Sequence, residues 1–103
     1  MDVNGTWRVV SSPDFADDYI GARDHVTLRQ DGKFVKGEFE IGAQYGTING
    51  AVYDEFMDFD FEGEDEGEHR FGEGEATLEG GRLVFELWHY HGDEYTFYCE
   101  RRE

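Results

Sequence analysis

Cysteine is almost absent from this chain: Cys99 is the only one among 103 residues, which excludes an intrachain disulfide. Lysine is nearly as scarce, with Lys33 and Lys36 the only two. The apolar fraction, 38%, is lean for a globular protein, and no run of it approaches the length of a membrane span. The first residues, Met1-Asp-Val-Asn-Gly5, carry neither a basic stretch nor an apolar one, so no signal peptide is expected and a cytoplasmic location is the default expectation. The length allows one core, and hence a single domain over residues 1–103.

What is present in excess is carboxylate. Asp and Glu number 25 against 9 Lys and Arg, a formal charge of -16. A field of that sign repels phosphate backbones and anionic headgroups, so neither nucleic acid nor a membrane surface is an expected partner. The same acidity fits a chain adapted to a salty cytoplasm, where screening tames self-repulsion. Aromatics are also plentiful: nine Phe, six Tyr and two Trp. Each buries much surface, so a lean apolar count with many aromatics suits a thin barrel or sandwich better than a helical bundle.

Turn signals at short intervals, with period-two alternation between them, predict an up-and-down β-protein. The first strand spans Thr6–Val10. Ser12 then suits a helix N-cap, Pro13 the first helical position, and Asp14, Asp17 and Asp18 the positive end of the dipole. One or two helical turns ending by Gly21 are expected there. Further strands are expected at His25–Gln30, Phe34–Ile41 and Gly46–Tyr53, with Asp31-Gly32 as the strongest hairpin signal. The fifth strand alternates Met57, Phe59 and Phe61 against Asp58, Asp60 and Glu62, and the run Glu62–Glu68 reads as a solvated hairpin loop. Strands at Phe71–Leu78, Leu83–Tyr90 and Glu94–Arg101 complete the set. Eight such strands leave two exposed edges unless they close. The predicted fold class is therefore an all-β, eight-stranded antiparallel meander barrel with one short helix between strands one and two.

The last hairpin admits two registers. A three-residue loop sets Leu83, Phe85, Leu87 and His89 on one face with Tyr95, Phe97 and Cys99. A two-residue loop puts Trp88 and Tyr90 there instead, because a one-residue slip exchanges the faces. Apolar content favours the first.

Gly5-Thr6-Trp7 opening the first strand, a short helical turn and then an eight-strand meander together resemble the calycin barrels: lipocalins, fatty-acid-binding proteins and avidins. The resemblance implies that Trp7 closes one barrel end and that Arg101 or Arg102 stacks on it as a cation–π pair. Gly37-Glu38-Phe39, Ile48-Asn49-Gly50 and Tyr53-Asp54 look like pieces of avidins. Val9 and Phe39 stand where avidins carry a ureido-binding Asn and a Tyr, and losing two polar partners abolishes such recognition, so biotin is not expected.

Other constellations point less far. Asp58, Asp60, Glu62 and Gly63 have the spacing of a calcium loop, but His69 occupies the twelfth position, where a bidentate Glu belongs. His89 and His91 face one side of a strand without further zinc ligands placed by spacing. Cys99 with His89 lacks an orienting group and an oxyanion site. No catalytic residue, metal or cofactor is expected. Gly37, Gly50, Gly72 and Gly74 within strands mark either tight barrel corners or interior space. Interior space would leave a site lined by Phe39, Phe59, Phe61, Phe85 and Phe97, oriented by His89, Tyr95 or Gln44 and capped by Phe15, Tyr19 and Ile20. The expected function is thus a non-enzymatic, calycin-like barrel binding a small apolar ligand. The alternative is a filled barrel serving as a protein-interaction or self-assembly module, including a homo-oligomer, through outward aromatics such as Phe34, Tyr53 and Trp88 or Phe97.

Overall fold

Alternating apolar and polar residues, cut by short turns, give eight consecutive strands in the computed structural model, which describes residues 1–102. They are β1 (Gly5–Ser11), β2 (His25–Asp31), β3 (Phe34–Ile41), β4 (Gln44–Val52), β5 (Met57–Asp65), β6 (Glu68–Glu79), β7 (Arg82–His89) and β8 (Glu94–Arg101). Each pairs antiparallel with the next, and β1 pairs with β8, so the sheet closes into an up-and-down barrel without a free edge. At the seam Trp7 lies opposite Arg101 and Val9 opposite Cys99, with a bulge between Val9 and Ser11.

The period-two pattern sorts the side chains. Val26 and Leu28 from β2, Ile41 from β3, Ile48 from β4, Met57 from β5, Leu83, Phe85 and Leu87 from β7 and Phe97 from β8 point inward and are buried. In the last hairpin Leu87 lies opposite Tyr95 and Phe85 opposite Phe97, the register with a three-residue loop. Trp88 and Tyr90 accordingly face outward.

One local expectation is made more specific and another is corrected. The helical turn between β1 and β2 is a single 3-10 turn, Asp17–Tyr19, and the Ser12 hydroxyl accepts from the Asp14 N–H at 3.1 Å ahead of it. The Ser12 hydroxyl donates to Thr96 O, and the Asp14 carboxylate accepts from Thr96 N at 2.7 Å, which ties the segment to β8. The acidic run Glu62–Glu68 is mostly strand: β5 continues to Asp65, and Glu66-Gly67, both at positive φ, turn directly into β6 at Glu68. Positive φ at both central residues is the hairpin geometry that matches sheet twist. The ladder hydrogen bonds outweigh the repulsion between outer-face carboxylates here, and His69 approaches Glu62 at 3.8 Å across this hairpin.

The strand glycines sit where neighbouring atoms come close. A Cβ on Gly72 would stand 2.0 Å from Trp88 O, and one on Gly74 would stand 2.3 Å from the Phe59 ring. The room these residues leave is taken by neighbouring backbone and by phenylalanine.

Candidate functional site

The two barrel ends differ in chemistry. At one end lie the start of β1 and the end of β8. Trp7 is fully buried there and donates its indole N–H to Val3 O at 2.9 Å. The Arg101 guanidinium lies 4.3 Å from the Trp7 ring and donates to Asn4 O and Asp2 O. This end is closed by an aromatic, a cation and the amino-terminal segment.

The opposite end gathers Gln44 at the start of β4, Asp65 at the end of β5, Arg70 early in β6, His89 at the end of β7 and Tyr95 early in β8. The loop between β1 and β2 folds over it. Phe15 stacks on Tyr19 at 4.3 Å and on Phe97 at 5.7 Å, and packs on Tyr95 at 4.8 Å. Asp24 holds the loop in place, its carboxylate accepting from the Gly21 and Gly42 N–H groups at 2.8 Å each.

The seven residues expected to line a site form one continuous aromatic network. Phe59 stacks on Phe85 at 5.1 Å, Phe85 meets Phe39 at 5.9 Å, and Phe39 meets Phe61 edge-on at 5.9 Å. His89 then contacts Phe61 and Tyr95, each at 5.1 Å, and Phe15 links Tyr95 to Phe97. The phenylalanine half of this network is packed ring on ring. Its polar half is different: His89, only 5% exposed, has neither ring nitrogen in a hydrogen bond with the described residues. Gln44, 1% exposed, donates from Nε2 to the Tyr19 hydroxyl while its Oε1 is unpartnered, and so is Arg70 Nε.

Burial lowers the proton affinity of His89 below that of an ordinary histidine, and the nearby His91 and Arg70 push the same way against Asp65 and Asp93. His89 is therefore neutral near pH 7, with one ring nitrogen a donor and the other an acceptor. Beside it, His91 hydrogen-bonds the Asp93 carboxylate at 2.7 Å, and the Tyr95 hydroxyl donates to the same oxygen at 3.2 Å. These two contacts hold Asp93 below the usual carboxylate range. Burial, with Asp93 adding to it, raises the Tyr95 phenol, which stays protonated. Cys99 is enclosed and its thiol is pushed up to about 12 by burial, so it is not a thiolate at neutral pH. Among the described residues no group of three His, Cys, Asp or Glu is arranged to hold a metal ion.

Asp65 and Arg70 escaped sequence reasoning because both fell in the stretch assigned to a loop or its flank. The signal was the Glu66-Gly67 pair, which fits a two-residue hairpin turn and would have extended both strands.

A second concavity lies outside the barrel. It is a groove of about 600 Å³ over β4–β7, walled by Asp60, Glu62, Glu73, Phe71, Trp88 and Tyr90 and bordered also by Phe61, Gly72 and His89. In comparisons with known proteins the chain matches no protein-family model, no curated protein and no solved structure. The class that the fold defines is an eight-stranded closed antiparallel barrel of up-and-down order. No helix among the described residues is long and apolar enough to cross a membrane.

Proposed function

We propose that this protein is a calycin-like, non-enzymatic binding barrel that holds a small ligand at its polar end, between Gln44, Arg70 and His89. One observation carries the reading: four buried polar atoms without partners, His89 Nδ1 and Nε2, Gln44 Oε1 and Arg70 Nε, lie at the same end of the barrel. An unpaired buried polar atom costs roughly 1–3 kcal/mol, so four of them mark a place where hydrogen bonds are meant to be completed. The apolar side of the ligand would rest on Phe61, Tyr95 and the Phe15–Tyr19 stack, and admitting it requires the β1–β2 loop to lift. The ligand class is a small, uncharged molecule with an apolar body and one edge carrying both a donor and an acceptor. Neutral His89 and the net charge of -16 both disfavour an anion.

Native mass spectrometry of the purified chain tests this against the denatured mass. The expected result is an added mass that is lost on denaturation and is missing from His89→Phe. A bare chain mass, together with His89 ring 15N shifts that do not move when the small-molecule fraction of a cell extract is added, overturns the proposal.

A further inference from the structure

The outer groove is built from two adjacent cross-strand rows. Strand register places Asn49, Asp60, Glu73 and Trp88 side by side across β4–β7. The next row, two residues along each strand, is Thr47, Glu62 and Phe71, completed by Tyr90, whose N–H donates to Phe71 O. Phe71 is 44% exposed and Tyr90 79%, and their rings stack at 4.9 Å. An aromatic side, Trp88, Phe71 and Tyr90, thus faces an acidic side, Asp60, Glu62 and Glu73.

A second depression of about 500 Å³ continues the groove, sharing Asn49, Asp60, Glu73 and Trp88 and reaching Asp58, Glu75, Phe34 and Phe56. Three rows two residues apart span roughly 13 Å, room for about four residues of extended chain. The centre of this path is carboxylate and both ends are aromatic.

The carboxylates face one another. Asp60 lies opposite Glu73, and Asp58 opposite Glu75. Like charges directly across strands are destabilising. Among the described residues none of these four forms an ion pair, and the cation in line with the first row, Lys36, lies beyond Asn49 on β3. The groove therefore carries unbalanced negative charge beside three aromatic faces, the two features that together recognise a guanidinium.

We infer that this groove is a docking site for an arginine-bearing, extended segment of a partner protein. The arginine sits over Trp88 or the Phe71–Tyr90 pair while its guanidinium meets Asp60 and Glu73, which relieves the repulsion between them. Charge complementarity selects this occupant over an acidic or neutral one. The groove adjoins the polar end of the barrel, since Phe61 and His89 also border it.

The test is titration of the full chain with an arginine hexapeptide at low salt, read by the change in Trp88 fluorescence; Trp7 is fully buried and contributes a constant background. Asp60→Asn with Glu73→Asn removes two facing charges and relieves a repulsive pair, so the fold is kept; binding is expected to weaken about tenfold. Trp88→Thr is expected to weaken it about three- to fivefold, read by calorimetry. Asp17→Asn with Asp18→Asn removes the same charge from the exposed 3-10 turn and is expected to leave binding unchanged. Absence of binding, or equal loss in the two charge-matched double variants, overturns the inference. So does a wild-type dimer in sedimentation that Trp88→Thr dissociates, which would assign the groove to a second copy of the chain.

Discussion

His89 concentrates the chemistry of the barrel's polar end in one residue. Its side chain faces Phe61, Tyr95 and His91, with Arg70, Asp65 and Asp93 within electrostatic reach. Its folded-state proton affinity lies below the unfolded one, so the unfolded chain takes up the proton first as pH falls. The corresponding stability is fully present above the unfolded value of about 6.5 and is lost progressively as pH falls through that value toward the folded one. His89→Phe keeps the ring contacts and deletes two unpaired nitrogens. The ligand-free variant is expected to be more stable by about 1–2 kcal/mol at pH 7. Urea unfolding between pH 5 and 7 is expected to show a shallower pH slope than wild type, whereas a variant less stable than wild type would mean that both nitrogens are satisfied in solution.

Individual strands were legible where alternation was strict. Met57, Phe59 and Phe61 against Asp58, Asp60 and Glu62 defined a face without ambiguity, and Asp31-Gly32 marked a hairpin whose turn is Gly32-Lys33, one residue on, with Asp31 paired to Phe34. The last hairpin was not decidable from pattern alone, since Trp88 and Tyr90 are as aromatic as Phe85 and Phe97; packing against the filled interior chose between them. The helical turn expected after β1 is present but is a single 3-10 turn that starts at Asp17; Ser12 and Asp14 bond to Thr96, 84 and 82 residues away, a tertiary tie that local propensity cannot register. Of the polar end, Gln44, His89 and Tyr95 were legible as inward polar residues, while Arg70 and Asp65 were lost with the hairpin that positions them. The glycines were recognised as special, yet only the interatomic distances show close approach of neighbouring atoms rather than open interior space. Gly72→Ala is expected to cost about 2–3 kcal/mol, because its Cβ would meet the Trp88 carbonyl and strands cannot separate without losing their ladder. Gly67→Asn, at φ 81° with nothing within 4 Å, is expected to cost under about 0.5 kcal/mol, since asparagine tolerates that backbone region. Paired denaturation curves check both; similar losses would mean that conformational freedom, not close approach, is what the strand glycine supplies.

For the whole molecule, the charge of -16 is distributed by the barrel's alternation rather than scattered. Because the inner faces of β5 and β6 are packed, their acids other than those at the polar end are forced onto one outer face and into direct opposition across strands. Glu75 stands in the middle, opposite Asp58 on β5 and Glu86 on β7. Glu75→Lys turns two repulsive cross-strand pairs into attractive ones and is expected to stabilise the barrel by about 0.5–1 kcal/mol at low ionic strength. Added salt is expected to stabilise the wild type more than the variant, because screening acts on the same repulsion that the lysine removes. Urea unfolding at low and high sodium chloride reads both effects without adding ionic denaturant. If salt raises both proteins equally, the repulsion is spread over all 25 carboxylates, as adaptation to a salty cytoplasm would have it. If the gain is concentrated in the wild type, the opposed acids of β5, β6 and β7 are a local cost of the fold, and a basic partner seated in the groove is the natural way to remove it.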